Sequence, residues 1–114
     1  MHSLCIIPFV ILVYITCKSI TQAKRIGKHL VTNRLAACIN IFPNMQSSYF
    51  WPPEAKKLIN DREVVLIAKT IAKNFKKIEK EITRLHSYKI PCVFSIKVDK
   101  VNKPYLDWLS SEVS

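Results

Sequence analysis

The sequence specifies an α+β fold, a ferredoxin-like split β-α-β sandwich, and three observations lead there. The apolar period switches between strand-like and helix-like along the chain, in the order strand, helix, strand, strand, helix, strand, then a small C-terminal helix. Two right-handed β-α-β crossovers of this kind build a four-stranded antiparallel sheet with two helices on one face. At 114 residues with 49% apolar content, the chain 1–114 makes one domain with material for a real core.

The first element is the apolar run LCIIPFVILVYITC, Leu4 to Cys17. It is too short for a membrane span, which takes roughly 20 residues. Nor does it fit a signal peptide, because Met1-His2-Ser3 lacks Lys or Arg and no small-x-small cleavage site follows. Its β-branched and aromatic residues from Val10 to Thr16 predict a strand covered on both faces. Removing it would leave the next helix with nothing to cover. That helix follows from Ala23, Ile26, Gly27, Leu30 and Val31, a single apolar stripe with Lys24, Arg25, Lys28 and His29 opposite. Ser19 or Thr21 caps its start, and Asn33-Arg34 closes it.

Leu35–Phe42 reads as the second strand, halted by Pro43-Asn44, and Ser47–Trp51 as a further short strand stopped by Pro52-Pro53. The polar stretch Glu54 to Arg62 reads as a long hairpin tip or loop. Val64–Lys69 returns as a strand, after which Thr70 is placed to cap a second helix with Ile71, Phe75, Ile78, Ile82 and Leu85 inward. On its outer face Glu81 offers Lys77 an i,i+4 partner. His86 to Pro91 is a connector. Val93–Val98 is the last strand, with Phe94, Ile96 and Val98 on one side, and Pro104 opens the terminal helix.

Composition narrows the function. Lys and Arg total 18 against 8 acidic residues, a net charge of +10 that favours acidic partners. One glycine, Gly27, excludes the glycine-rich phosphate loops of nucleotide-binding folds. Cys5, Cys17, Cys38 and Cys92 have no C-x-x-C spacing, so they read as free thiols in a reducing cytoplasm.

Three classes of function suit a domain of this kind. An RNA-binding module of RRM type has this element order, yet the VVLIAK strand lacks the aromatic and glycine residues that such modules use to stack bases. No specific nucleic-acid partner is expected, and any such binding should be weak and steeply salt-dependent. An enzyme has little to stand on beyond His86 near Cys92, which could activate a thiolate. A binding or structural oligomer remains.

Specific residues support the third class. Arg34-Leu35-Ala36-Ala37-Cys38-Ile39-Asn40-Ile41 followed by Pro43 resembles the RLAACVNI-x-P signature of the CutA divalent-cation tolerance family. Ser47/Ser48, Tyr49 and Trp51 are similar to its S-x-Y-x-W strand, and Lys69-Thr70 to its K-T strand end. Leu85-His86-x-Tyr88-x-x-Pro91 and Asn102, Tyr105, Trp108 and Leu109 match two further segments in order. The resemblance runs from about Val10 through nearly the whole chain.

This resemblance implies a tight homotrimer similar in architecture to PII signalling proteins, non-enzymatic and linked to copper or other divalent metals. It implies a metal set of His86, Cys92 and Cys17. An exposed sheet edge invites association, and Tyr49, Phe50 and Trp51, on a strand that outruns the helices, are the candidates to pair with a neighbouring subunit. The family's final glutamate in the His-Pro-Tyr segment is Cys92 here, and its first-strand thiol aligns near Ile15, two positions before Cys17. A nitrogen–thiolate set would favour Cu(I) or Zn(II) over Mn(II) or Mg(II). The alternative is structural: His86 caps the end of the second helix and both cysteines are packed strand residues.

Overall fold

The computed structural model describes residues 9–54 and 56–114. Its elements are β1 (Val10–Cys17), α1 (Ile20–Thr32), β2 (Cys38–Phe50), β3 (Leu58–Ile71), α2 (Phe75–Leu85), β4 (Val93–Lys97) and α3 (Lys103–Glu112). The strands form one antiparallel sheet in the order β2-β3-β1-β4. That is the expected split β-α-β arrangement, in which each crossover helix skips one strand. Residues 4–8 of the apolar run at the amino terminus, with Cys5, lie outside the described residues.

Alternation along β1 explains the layers. Val13, Ile15 and Cys17 point to one face and are fully buried, against Ala68, Leu66 and Val64 of β3. Ala23, Ile26 and Leu30 of α1 and Ile78 and Ile82 of α2 cover that face and complete the main core. Each fully buried Ile or Leu there contributes about 2 kcal/mol of transfer free energy. Gly27 lets α1 settle closely: a Cβ at this position would stand 3.0 Å from Cδ1 of Ile39. On the other face, α3 covers one end of the sheet, where Val10, Ile71 and Leu109 form a second core. The rest of that face is open, with Tyr14 stacked on Phe94 at a centroid distance of 4.8 Å.

Local signals govern the ends of α1. Ser19 Oγ accepts the Gln22 backbone N–H at 3.1 Å, and Gln22 Oε1 accepts the N–H of Lys18 at 2.9 Å, a variant of the reciprocal capping box. At the other end, Leu35 N–H reaches Leu30 O and Arg34 N–H reaches Val31 O, at 2.9 and 3.0 Å, which is a Schellman closure. Arg34 takes the left-handed position with φ 60°, where glycine is usual.

Four expectations are corrected. Leu35–Phe42 and Ser47–Trp51 are not separate strands. Cys38–Phe42 and Ser47–Phe50 are parts of one strand, β2, which runs through Pro43-Asn44 by an irregularity between Phe42 and Met45, with Asn44 at φ 67°. Asparagine tolerates this conformation, and a bulge frees the proline from the ladder. Leu58 to Arg62, read as loop, pairs with Gln46 to Phe50 as the first part of β3. Thr70 does not cap α2: it lies in β3, where its hydroxyl donates to the Leu35 carbonyl at 2.6 Å, and Ile71 belongs to the strand as well. A single 3-10 turn, Ala72–Asn74, leads into α2 instead. Finally, Glu81 pairs with Arg84 at 2.8 Å and with His29 of α1 at 2.6 Å, rather than with Lys77.

The β2–β3 hairpin outruns the sheet. β1 pairs with β3 only from Val64 to Ile71, so Met45–Phe50 and Leu58–Glu63 project as a two-stranded arm. The molecule is correspondingly elongated, 57 × 27 × 26 Å.

Candidate functional site

Where the arm leaves the sheet, it forms a cleft with the connector between α2 and β4. Thr16 from the end of β1, Tyr49 and Glu63 from the arm, Trp51 just past β2, and Tyr88 and Cys92 from the connector line it, around a cavity of about 510 Å³. The connector is anchored from beneath by His86. Its Nε2 lies 2.6 Å from the Thr16 carbonyl oxygen, and its Nδ1 is 3.0 Å from the Tyr88 backbone nitrogen. That pairing assigns the neutral tautomer with the proton on Nε2. Gln22 of α1 adds a second tie, donating from Nε2 to Ser87 Oγ at 2.8 Å.

Two carboxylates and two tyrosines interlock along the arm. Tyr88 Oη donates to Glu63 at 2.9 Å, and Tyr49 Oη to Asp61 at 3.1 Å. Glu63 is buried, 8% exposed. Burial, then the hydrogen bond to Glu63, pushes the Tyr88 hydroxyl far above its ordinary range, and burial and the Asp61 bond also raise Tyr49. Both therefore remain protonated donors at neutral pH.

The three residues expected to hold metal stand in different surroundings. Cys92 lines the cleft. Cys17 sits in the main core under the helices, where burial first and the Glu63 charge second push its thiol up to about 11. Burial also raises Cys92, with a bond to Thr16 acting the other way. Both thiols are thus neutral at pH 7, the form that binds metal less well. Both ring nitrogens of His86 already have partners, so a metal there must displace one of them. Among the described residues, no three His, Cys, Asp or Glu side chains gather into a metal-holding group.

Of the expected interface residues, Tyr49 and Phe50 lie at the end of β2 and Trp51 follows, all three exposed in the single chain. Sequence reasoning missed Glu63 and Asp61, both assigned to or beside a loop. The available signal was Glu63 itself, one of only 8 acidic residues, set directly before an apolar strand.

Known proteins share this sequence pattern and this fold. A model of the CutA1 divalent ion tolerance protein family matches residues 11–112. The chain belongs to the CutA1 family. The divalent-cation tolerance protein CutA of Archaeoglobus fulgidus is 37% identical over 101 residues, 89% of this chain and 95% of that protein. The protein of that description from Thermus thermophilus is 39% identical over 97 residues, 85% and 91% of the two chains. Among solved structures, CutA1 from Oryza sativa superposes with a TM-score of 0.88 at 31% identity, covering 94% of this chain and 95% of that one. The A. fulgidus structure, described as a periplasmic divalent cation tolerance protein, gives 0.86 at 36% identity, covering 92% and 99%. These relatives give no support to the RNA-binding alternative.

Proposed function

We propose that the chain is a homotrimeric, non-enzymatic protein of divalent-cation tolerance that binds or responds to copper or another divalent metal. The match of residues 11–112 to the CutA1 family carries this reading. Trimerisation is supported by two surfaces that a lone chain leaves open. The sheet face opposite α1 and α2 exposes Phe42, Phe94 and Ile96 beyond the cover of α3. The arm is a two-stranded ribbon, which is marginal in water without a third strand or a packing partner. Tyr49, Phe50 and Trp51 on that arm are the residues proposed to meet the neighbouring subunit.

For metal, Cys92 is the expected ligand that faces the cleft, and the remaining donors would come from a second subunit. His86 and Cys17 of the same chain are positioned as parts of the scaffold. A cytoplasmic location belongs to this proposal, in keeping with Cys17, Cys38 and Cys92 being free. No helix among the described residues is long and apolar enough to cross a membrane.

Light scattering after gel filtration should give three times the chain mass of 13.2 kDa. Calorimetric titration with Zn(II), and with Cu(I) under reducing conditions, should show at least a tenfold loss of affinity in Cys92→Ala with the trimer retained. A monomer at micromolar concentration would end the assembly proposal, and unchanged affinity would end the metal one.

A further inference from the structure

The cleft has a chemical character that a metal site does not account for. Glu63 is a buried carboxylate, and among the described residues it forms no ion pair with any lysine, arginine or histidine. Among the same residues, its one side-chain hydrogen bond is from Tyr88, at 2.9 Å. A charge withdrawn from water without a counter-ion is costly, and natural proteins keep such groups paired or use them for binding. This is more unusual in a chain with net charge +10, where cations are plentiful on the surface.

The walls beside that carboxylate are aromatic. Tyr49, Trp51 and Tyr88 share the cleft with Glu63, and the subunit that Tyr49 and Trp51 are proposed to meet would border the same cleft. Aromatic faces attract cations through their quadrupole, and they also remove apolar surface from water. A cavity of about 510 Å³ is far larger than a metal ion and suits a small organic molecule. We propose that the cleft binds a small organic ammonium ion, a protonated primary amine with an aromatic or aliphatic body, with the Glu63 carboxylate as its counter-ion and Tyr49, Trp51 and Tyr88 as its walls. The ammonium takes the place of the cation that Glu63 lacks, and the body of the ligand lies along the rings. Tyr88 orients the carboxylate by donating to one of its oxygens, which leaves the other for the ligand. Lys89 also borders the cavity, so a ligand with one ammonium is favoured over one with two. This inference does not rest on the metal reading, because it uses Glu63 and the aromatic residues rather than Cys92.

The test compares two probes of nearly equal size, phenethylammonium chloride and neutral 2-phenylethanol, by calorimetry or chemical-shift titration on the intact assembled protein. The ammonium should bind at least tenfold more tightly than the alcohol. Glu63→Gln should abolish that preference while the melting temperature stays equal or rises, since the buried charge is gone. Tyr88→Phe, which keeps the ring and removes the donor, should retain the preference. Equal affinity of the two probes, binding of neither, or a preference that survives in Glu63→Gln would overturn the proposal. So would failure of phenethylammonium where zinc chloride binds and is lost in Glu63→Gln, because the cleft would then be a metal site. Should Glu63→Gln not fold, the comparison of probes on the unaltered protein still decides.

Discussion

The imidazole of His86 bridges two segments that are 70 residues apart, donating from Nε2 to the Thr16 carbonyl at 2.6 Å. Its Nδ1 accepts the Tyr88 backbone N–H at 3.0 Å, and its ring lies 4.5 Å from that of Tyr88. One side chain thereby closes the end of α2, satisfies a carbonyl at the end of β1, and fixes the connector that lines the cleft. A ring used on both sides is first a structural part, and that fits its burial.

Replacing His86 by alanine leaves the Thr16 carbonyl and the Tyr88 N–H without their partner. The expected loss is about 2 kcal/mol, the cost of unsatisfied buried polar groups. Urea denaturation would measure it. A variant as stable as the parent would mean that water replaces both bonds without cost.

Gly27 sits where α1 approaches the sheet, with Ile39 Cδ1 at 3.0 Å and Leu66 Cδ1 at 3.2 Å from the position of a Cβ. Alanine would gain about 1 kcal/mol of helix propensity. Crowding in a packed core costs roughly 1–3 kcal/mol. Because two side chains must give way together, Gly27→Ala is expected to be less stable by about 1 kcal/mol. An increase in melting temperature would show that Ile39 yields freely.

Alkaline pH should weaken the fold through Cys17. Its folded pKa is raised by burial to about 11 from 9.0, so the folded state keeps a proton that the unfolded chain releases. The stabilisation is complete below the unfolded value and is lost as pH rises through the folded one, about 3 kcal/mol in all. Denaturation midpoints followed between those two values should fall more steeply in the parent than in Cys17→Ala. Parallel curves would assign the alkaline loss to other groups.

Acid acts on the helix pair. The bond from Arg84, and then that from His29, lowers the Glu81 carboxyl to about 2 from 4.5. A depressed carboxyl stabilises above its unfolded pKa and loses that contribution as pH falls through its folded one. Glu81→Gln should therefore flatten the decline in stability over that window, as read by thermal melts in buffers of descending pH. If the variant and parent decline alike, the α1–α2 link through His29 contributes nothing measurable in acid.

The legible part of this protein was whatever a local pattern could encode. The stripe Ala23, Ile26, Leu30 is buried as the period required, Ser19 caps α1, and Ile78 and Ile82 face inward from α2. The order of strands and helices followed from these, and so did the sheet. Misreadings arose where a distant partner outweighed local preference. Pro43-Asn44 breaks most strands, but β3 pairs on both sides of it and the bulge absorbs the two residues. Thr70 has the side chain of a cap, yet the Leu35 carbonyl on a turn 35 positions earlier claims its hydroxyl.

The cleft is the clearest case of information that local pattern lacks. Tyr88 stood out in sequence, but its partner Glu63 looked like the margin of a loop, because polar residues in a two-stranded arm carry no strand signal. Only the pairing of β2 with β3 puts Glu63 on a rigid strand, and only the His86 anchor brings Tyr88 to it. Period and capping act over about four residues and can be read from the chain. The arm, the cleft and its buried carboxylate depend on contacts between segments 25 to 70 residues apart, which exist only once the chain has closed on itself.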